Sequence, residues 1–352
     1  MTALKQQLLA RIKASGPLTL AEYMGECLLH PTYGYYATRD PLGAKGDFTT
    51  APEISQMFGE MIGLALAQSW LDQDRPAPFT LAEIGPGRGT LMADILRVGL
   101  AVPGFVEAAE VHLVEASPVL REVQATTLGS HEVSWHDHVS ELPDQPLFLV
   151  ANEFFDALPI RQYVRDGEGW RERCVAASEG DLSFSLGPAL PQPALAHRLE
   201  DTEDGQLVEH CQPAESIARE IGARIETLGG VALLIDYGDW VSLGDTFQAL
   251  KDHAHEDPLA HPGEVDLTAH VDFEAIARVV PCSHSRLTPQ GMFLERLGIT
   301  QRAQALAKGL SGDRLESHIA AHRRLTHPEE MGNLFKVLAL FPDQSPPPGV
   351  EQ

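Results

Sequence analysis

Apolar residues along the chain switch between helical spacing and short continuous runs, and this predicts alternating helices and strands. Leu, Ile and Met recur at helical spacing over residues 3–14, 19–29 and 53–71, so three helices are expected before any strand. Buried strands are predicted from continuous apolar runs at 80–84, 111–115, 132–135, 146–151 and 231–236. Strands that are apolar on both faces are typical of a parallel sheet covered by helices. The pattern therefore predicts an α/β fold with a Rossmann-like sheet and an N-terminal helical extension.

A different pattern interrupts this alternation after the fourth predicted strand. Short segments of strand-forming residues, separated by turns at 166–169 and 179–181, predict an antiparallel β insertion. Further elements are predicted as a strand at 206–211, helices at 213–228, 271–279, 300–308 and 313–324, and a last strand at 334–341. The expected units are an extension and lid over 1–78, a core over 79–156 and 229–342, an insertion over 157–228, and a disordered tail over 343–352.

The most informative segment joins the first predicted strand to a helix and contains Gly85, Gly87 and Gly89. Glycine allows a sharp turn and lets a ligand approach the bare backbone, while the helix N-terminus offers unpaired N–H groups. Glu83 precedes this loop, and Glu115 ends the next strand, where a carboxylate can bind both hydroxyls of a ribose. The loop resembles that of class I methyltransferases, which bind S-adenosylmethionine (SAM).

Two other interpretations of the glycine loop are open. An NAD site requires the spacing G-x-G-x-x-G, but Thr90 occupies the position of the third glycine. A tight turn without any ligand is the other alternative. SAM carries a sulfonium, an ammonium and one carboxylate, so an acidic pocket suits it better than a basic one.

Polar residues follow the fourth predicted strand, at Asn152, Glu153 and Asp156. Ligands of open parallel sheets bind beyond the carboxyl ends of the strands, so these side chains are expected to face the methyl group that is transferred. Carboxylates bind a guanidinium through paired, charge-assisted hydrogen bonds and can accept its proton. We expect these three residues to be catalytic toward a basic nitrogen. The alternative is that the two acids only satisfy backbone groups at this junction.

Composition limits the partners. The net charge is −24, which argues against nucleic acid or an anionic membrane as the main partner, since both require cationic patches. An acidic surface suits a basic protein partner, although it could equally serve only solubility. The four cysteines are widely spaced, and no apolar run reaches the length of a membrane span. The start shows neither a signal nor a transit segment, so a cytoplasmic location is expected.

Several motifs together resemble the MidA-like methyltransferase family, which includes a mitochondrial assembly factor of respiratory complex I. The similar segments are 46–56 (GDFTTAPEISQ), 83–89 (EIGPGRG), 152–159 (NEFFDALP), 236–238 (DYG) and 266–273 (DLTAHVDF). The resemblance extends in order over nearly the whole chain. It implies a SAM-dependent protein arginine N-methyltransferase that forms symmetric dimethylarginine on a core subunit of complex I. A chain without a visible transit segment looks like a bacterial relative of that factor, and its own substrate could be the equivalent subunit or another protein.

Other polar residues are weaker candidates. Segment 46–56 could be a lid over the cofactor and substrate, and the same residues could simply cap a helix. The lid and substrate candidates are Asp47, Thr49, Thr50, Glu53 and His270. Asp137 could bind the adenine amino group of the cofactor or be a solvated loop residue. Histidines between His253 and His270 have spacing similar to that of metal ligands, but no metal is expected, because transfer from a sulfonium needs no Lewis acid.

Two other functions are compatible with the sequence. One is a methyltransferase of a small molecule or nucleobase, and the other is a non-catalytic assembly chaperone that keeps the fold. The oligomeric state is left open by the sequence.

Overall fold

The computed structural model describes residues 2–38, 50–251, 254–343 and 346–351. Its helices are α1 Ala3–Ser15, α2 Leu20–Leu29, α3 Tyr35–Thr38, α4 Ala51–Ile54, α5 Gln56–Asp72, α6 Thr90–Gly99, α7 Phe105–Ala108, α8 Pro118–Leu128, α9 Gln212–Leu228, α10 Phe273–Val279, α11 Gln290–Arg296, α12 Ile299–Ala307, α13 Asp313–Thr326 and α14 Met331–Leu334. Its strands are β1 Leu18–Thr19, β2 Phe79–Ile84, β3 Ala109–Val114, β4 Val133–His136, β5 Leu147–Asn152, β6 Arg161–Asp166, β7 Gly169–Ser178, β8 Asp181–Leu190, β9 Leu207–His210, β10 Gly230–Asp239, β11 Gln248–Lys251, β12 Ala254–Glu256, β13 Asp266–Thr268, β14 Val271–Asp272, β15 Ser283–His284, β16 Thr288–Pro289 and β17 Phe335–Phe341.

The main sheet has the order β15-β17-β10-β5-β2-β3-β4, with β14 added beside β10 and β16 beside β17. Strands β4, β3, β2, β5 and β10 are parallel to their neighbours, whereas β17 is antiparallel to β10. The chain builds β2, β3 and β4 outward in one direction and then returns to place β5 on the other side of β2. This reversal opens a crevice at the carboxyl ends of β2 and β5, which is where open α/β sheets bind ligands.

Apolar residues cover both faces of the main sheet, as the continuous apolar runs predict. Every residue of β2 and β5 is buried. Helices α5, α6 and α12 pack on one face, and α9 and α10 pack on the other. The α/β class and the methyltransferase-like sheet expected from the sequence are confirmed.

The N-terminal helices and the β insertion share a core of their own. Strand β1 pairs with β7, where Leu18 lies opposite Val175, and side chains of α1 and α2 pack against this second sheet. The start of α2 shows why the chain turns there. The Thr19 hydroxyl accepts the Glu22 N–H at 3.1 Å, and the Glu22 carboxylate accepts the Thr19 N–H at 2.9 Å, which completes a capping box.

Three predicted elements differ from the structure. The helix expected over 53–71 is two helices, because Ser55 is extended and its hydroxyl caps α5 by accepting the Met57 N–H at 3.2 Å. The segment between the predicted strand at 231–236 and the predicted helix at 271–279, for which no element is predicted, contains the small sheet of β11, β12 and β13. Part of the tail expected to be disordered is folded, since Val350 packs on the core and the Glu351 carbonyl accepts the Arg286 N–H at 2.8 Å.

Candidate active site

A cavity of about 310 Å³ lies at the crevice between β2 and β5. It extends from the glycine loop to the C-terminal end of α2 and to α3, so the N-terminal helices close one side. Polar and charged residues that line it are Tyr36, Thr50, Glu53, Glu83, Arg88, Thr90, Glu115, Ser117, Asn152 and Glu153. The predicted cofactor loop and the predicted catalytic strand end thus meet in one space.

The glycine loop adopts a backbone that other residues rarely tolerate. Gly85, Gly87 and Gly89 have φ values of +63°, +52° and +80°. A Cβ on Gly85 would lie 2.8 Å from a ring carbon of Phe154, so the loop also requires the missing side chain for space. Gly89 is the N-cap of α6 and provides no capping side chain, which leaves the helix N-terminus open toward the cavity.

Glu83 lines the cavity from the C-terminal end of β2 and is 3% exposed. Burial raises the pKa of its carboxyl well above the ordinary value, and the nearby charge of Glu115 acts in the same direction. The Met92 N–H donates to this carboxyl, but its Oε2 atom is buried without a partner. An orphaned, buried oxygen of this kind indicates a missing hydrogen-bond donor.

Glu115 follows β3 and is held in place by neighbouring donors. Its Oε1 accepts the Ser117 N–H at 2.8 Å, and its Oε2 accepts the Gln124 amide at 3.1 Å. The same Gln124 amide donates to the Gly87 carbonyl at 2.8 Å, so one side chain ties the glycine loop to Glu115. Burial raises the pKa of Glu115, and the Ser117 hydrogen bond lowers it.

Glu153 is the residue after β5 and has an unusual backbone, with φ +52°. Such a conformation in a non-glycine residue costs free energy and is concentrated at functional sites. Its Oε1 accepts the Ala51 N–H at 2.9 Å and the Asn152 amide at 3.0 Å, and the residue lines the cavity. Burial raises the pKa of Glu153 to about 7, although the Ala51 hydrogen bond acts against this shift.

Asp236 holds the strained turn around Glu153. Its Oδ2 atom accepts three successive backbone N–H groups, from Phe154 at 3.1 Å, Phe155 at 2.9 Å and Asp156 at 3.2 Å. It is fully buried, so this anchor is shielded from water. The neighbouring Asn152 keeps a buried Oδ1 atom without a partner, beside the Glu153 carboxylate.

Two residues predicted for catalysis or substrate binding lie outside the cavity lining. Asp156 is 6% exposed and contacts the Tyr237 hydroxyl behind the cavity wall, because the turn after β5 directs its side chain toward β10. Burial raises the pKa of Asp156 to about 6. The His270 ring packs edge-on against the Tyr237 ring, with 5.4 Å between the two ring centroids. The structure therefore brings Asn152 and Glu153 to the cavity but neither Asp156 nor His270.

Asp137 also does not line the cavity. It pairs with Arg121 at 2.6 Å and has a side chain that is 66% exposed. Arg121 also donates to the Glu115 and His136 carbonyls, so the pair fixes the loop behind Glu115. The adenine contact of Asp137 stays a prediction.

Two of the four predicted lid residues of segment 46–56 can be placed. Thr50 and Glu53 line the cavity, and the Glu53 carboxylate accepts the Thr90 hydroxyl at 2.6 Å. Helix α4 is therefore fastened at one end to Glu153 and at the other to the start of α6. Asp47 and Thr49 lie outside the described residues.

Four polar lining residues were not predicted from the sequence, and Thr90 at the start of α6 is one of them. Arg88 is part of the glycine loop itself, and Tyr36 and Ser117 join the N-terminal helices to the loop after β3. The Ser117 hydroxyl donates to the Tyr36 carbonyl at 2.9 Å, and the Tyr36 hydroxyl contacts Asp266 at 2.9 Å. The positive charge of Arg88 between two loop glycines is the one sequence feature that could have identified a further lining residue. The other contacts join positions that are distant in sequence.

Comparison with known proteins identifies the family. A family model of S-adenosyl-L-methionine-dependent methyltransferases matches residues 61–292. The chain is 37% identical to the mitochondrial protein arginine methyltransferase NDUFAF7 of rat, over 98% of this chain and 85% of the relative. The human protein of the same name is also 37% identical, over 98% of this chain and 84% of the relative.

A solved structure agrees over the whole fold. The crystal structure of a Burkholderia thailandensis protein bound to S-adenosyl-homocysteine superimposes with a TM-score of 0.84 at 30% identity, covering 99% of this chain and 93% of that one. The predicted cytoplasmic location is contradicted, because the relatives from rat, human and Drosophila are all named as mitochondrial proteins. Within the described residues, no helix combines the length and apolar character that crossing a membrane requires.

The cavity fits the cofactor of this family on its own chemistry. SAM carries two cationic groups, and the lining supplies four carboxyls, of which that of Glu83 is buried, together with orphaned oxygens on Glu83 and Asn152. The glycine loop leaves space where any side chain would collide with Phe154. From the 61–292 match and the full-length relatives, the chain belongs to the family of SAM-dependent methyltransferases that includes NDUFAF7, and SAM is its cofactor.

Proposed function

We propose that this enzyme methylates a guanidinium nitrogen of an arginine in a protein substrate. The observation that carries the proposal is the position of Glu153, which lines the cavity at the end of β5 while the Ala51 and Asn152 donors hold its Oε1 atom. A carboxylate with an accessible oxygen beside an amide oxygen is suited to a planar, cationic donor group. The names of the relatives as protein arginine methyltransferases support the same substrate.

The electrostatics around Glu153 favour a cation. Asp156 and Asp236 lie close enough for their charges to interact with that of Glu153, so three carboxyls share one region of low dielectric. Among the lining residues in the described part of the chain, Arg88 is the one cation. A guanidinium entering beside Glu153 would relieve this repulsion, and binding would favour the ionised form of the carboxylate.

The chemical step requires the arginine to lose a proton. A free guanidinium is protonated at neutral pH and its nitrogen lone pairs are delocalised, so it is a poor nucleophile. Glu153 Oε2 can bind one N–H, localise electron density on the nitrogen, and accept the proton as the new N–CH₃ bond forms. The Asn152 Oδ1 atom can accept a second N–H and so fix the guanidinium plane.

The cofactor supplies a methyl group that is already activated by a sulfonium. Glu115 would bind the ribose hydroxyls, since Ser117 and Gln124 hold its carboxylate in place. Gly85, Gly87 and Gly89 would seat the cofactor against bare backbone. Arg88 would pair with the carboxylate of the methionine portion, and the open Oε2 of Glu83 would accept a hydrogen bond from the cofactor.

The MidA-like resemblance supports a more specific version of this function. In that version the product is symmetric dimethylarginine, and the substrate is a core subunit of respiratory complex I or its bacterial equivalent. The predicted partner is thus a protein that presents an accessible arginine.

The test is mass spectrometry of proteins from cells with and without the gene. Loss of arginine methylation from one protein on deletion, and its return with wild-type enzyme but not with Glu153→Gln, would support the proposal. Transfer of labelled methyl groups only to metabolites or nucleic acid in a deletion lysate would contradict it. Absence of SAM binding by calorimetry would instead favour a chaperone without catalytic activity.

A further inference from the structure

The distribution of cationic residues on this acidic protein is uneven. Residues 296–327 contain six of the 26 Arg and Lys residues but only two of the 50 Asp and Glu residues. They comprise α12, α13 and their flanking residues, and we call them the cationic hairpin. A positive segment on a chain of charge −24 is a local exception, and such exceptions mark surfaces for anionic partners.

Half of these cations are engaged within the fold. Arg302 binds the buried Glu60 at 2.6 Å, Arg323 binds Glu330 at 2.9 Å, and Arg296 binds Glu351. The other three, Lys308, Arg314 and Arg324, are exposed and have no carboxylate partner among the described residues.

Helix α13 carries two of the three unpaired cations and lies next to α4, which forms part of the cavity wall. It packs against α4, whose Pro52 and Glu53 line the cavity. Leu325 is its one buried residue, while Ile319 is 57% exposed, so most of the helix faces solvent. Although burial dominates the raised pKa of Glu153, the positive charge of Arg324 acts in the opposite direction, which places Arg324 within electrostatic range of the proposed catalytic carboxylate.

The two arginines of α13 lie on one side of the helix. Ten residues separate Arg314 from Arg324, which corresponds to about 15 Å along the axis and a rotation of about 80°. An extended peptide rises about 3.3 Å per residue. Two acidic residues about five positions apart on an extended peptide can therefore contact both arginines.

We propose that the cationic hairpin binds acidic residues that flank the methylated arginine, so that the enzyme selects an arginine next to an acidic segment. This inference rests on the proposed function. The acidic cavity would take the guanidinium, and the hairpin would take the opposite charge a few residues away. Charge complementarity of this kind sets specificity and orientation more than total affinity. The net charge of −24 argues against nucleic acid or anionic lipid as the occupant, because either would also meet the acidic surface.

The experiment compares two charge-matched double variants. Arg314→Glu with Arg324→Glu reverses the proposed contact, and Lys13→Glu with Arg75→Glu makes the same change at exposed positions outside the hairpin and the cavity lining. Protein from a deletion strain is methylated with labelled SAM, and the modified arginine peptide is identified. Kinetics are then measured on that peptide and on a version with its acidic residues changed to amides, and SAM affinity by calorimetry confirms that each variant is folded.

The proposal expects kcat/KM for the acidic peptide to fall roughly tenfold in the hairpin variant, mainly through KM, and to stay within about twofold in the control. With the wild-type enzyme, kcat/KM should fall by the same factor when the amide peptide replaces the acidic peptide. For the amide peptide, kcat/KM should fall no further when the hairpin variant replaces the wild-type enzyme. Equal kcat/KM in the two double variants, or an identified peptide without acidic residues near its arginine, would overturn it. Hairpin-dependent binding to DNA or to vesicles with anionic lipid would overturn it in favour of those partners. A lysate in which no arginine is labelled would instead count against the proposed function.

Discussion

The Glu153 carboxylate accepts the backbone N–H of Ala51 across 2.9 Å, which links the end of the central strand β5 to the first residue of α4. The proposed base therefore also holds in place a helix that contributes to the wall of its own cavity. The turn that presents it is strained at φ +52° and is anchored by three N–H groups on Asp236. This rigidity is what a base requires, because its position must be fixed before the substrate arrives.

Replacing Glu153 with Gln should separate its chemical role from its structural one. The amide keeps an oxygen that can accept the Ala51 and Asn152 donors, but it cannot take a proton from the guanidinium. We expect kcat to fall by roughly 10²–10⁴-fold, the usual contribution of a general base, with little change in SAM affinity. Single-turnover methyl transfer and calorimetry would measure the two quantities. Wild-type turnover in this variant would exclude the base role.

The raised pKa of Glu153 makes a second prediction about stability. Its folded value of about 7 lies above the ordinary 4.5, so its contribution to stability is complete below pH 4.5 and is lost as the pH rises through 7. The Glu153→Gln side chain does not titrate, so this loss is absent in the variant. The free energy of unfolding of the variant, relative to that of wild type, should therefore be roughly 2 kcal/mol higher at pH 8 than at pH 5. Denaturant unfolding at the two pH values measures the difference. A Gln variant whose advantage is the same at both would show that Glu153 titrates normally.

Much of this architecture could be predicted because it depends on local signals. The apolar runs predicted the five parallel strands, and the glycine spacing predicted the tight loop between β2 and α6. The joint core of the N-terminal helices and the insertion could not be predicted, because Leu18 and Val175 meet only through tertiary packing. Tyr36 and Ser117 are 81 residues apart and were missed for the same reason.

The predicted catalytic motif shows the same limit at finer scale. Asn152, Glu153 and Asp156 are close in sequence, yet only the first two reach the cavity. Spacing alone does not reveal the positive φ at Glu153, which turns the chain so that Asp156 points to Tyr237 instead.

Glu115 should be the main determinant of cofactor affinity on the β3 side. Its removal would lose two charge-assisted hydrogen bonds to the ribose, each worth about 1.5–3 kcal/mol. We therefore expect Glu115→Ala to weaken SAM binding by roughly 100-fold or more. Glu110→Ala is the matched control, since Glu110 lies on β3, the strand that Glu115 follows, but is exposed and contacts Gln145. Calorimetry that finds equal SAM affinity in the two variants would remove the ribose role from Glu115.

Gly85 and Gly129 allow the two roles of a glycine to be separated, because their φ values of +63° and +60° are nearly the same. A Cβ at Gly129 would meet nothing within 4 Å, whereas one at Gly85 would lie 2.8 Å from Phe154. Gly129→Ala should therefore cost only backbone strain, about 1–3 kcal/mol, and leave SAM binding unchanged. Gly85→Ala also places a side chain at positive φ and must in addition displace Phe154 at the cavity wall, so it should lower both the unfolding midpoint and SAM affinity. Thermal unfolding with and without SAM measures both effects. If SAM stabilises the two variants equally, the close approach of Gly85 to Phe154 has no part in shaping the cofactor site.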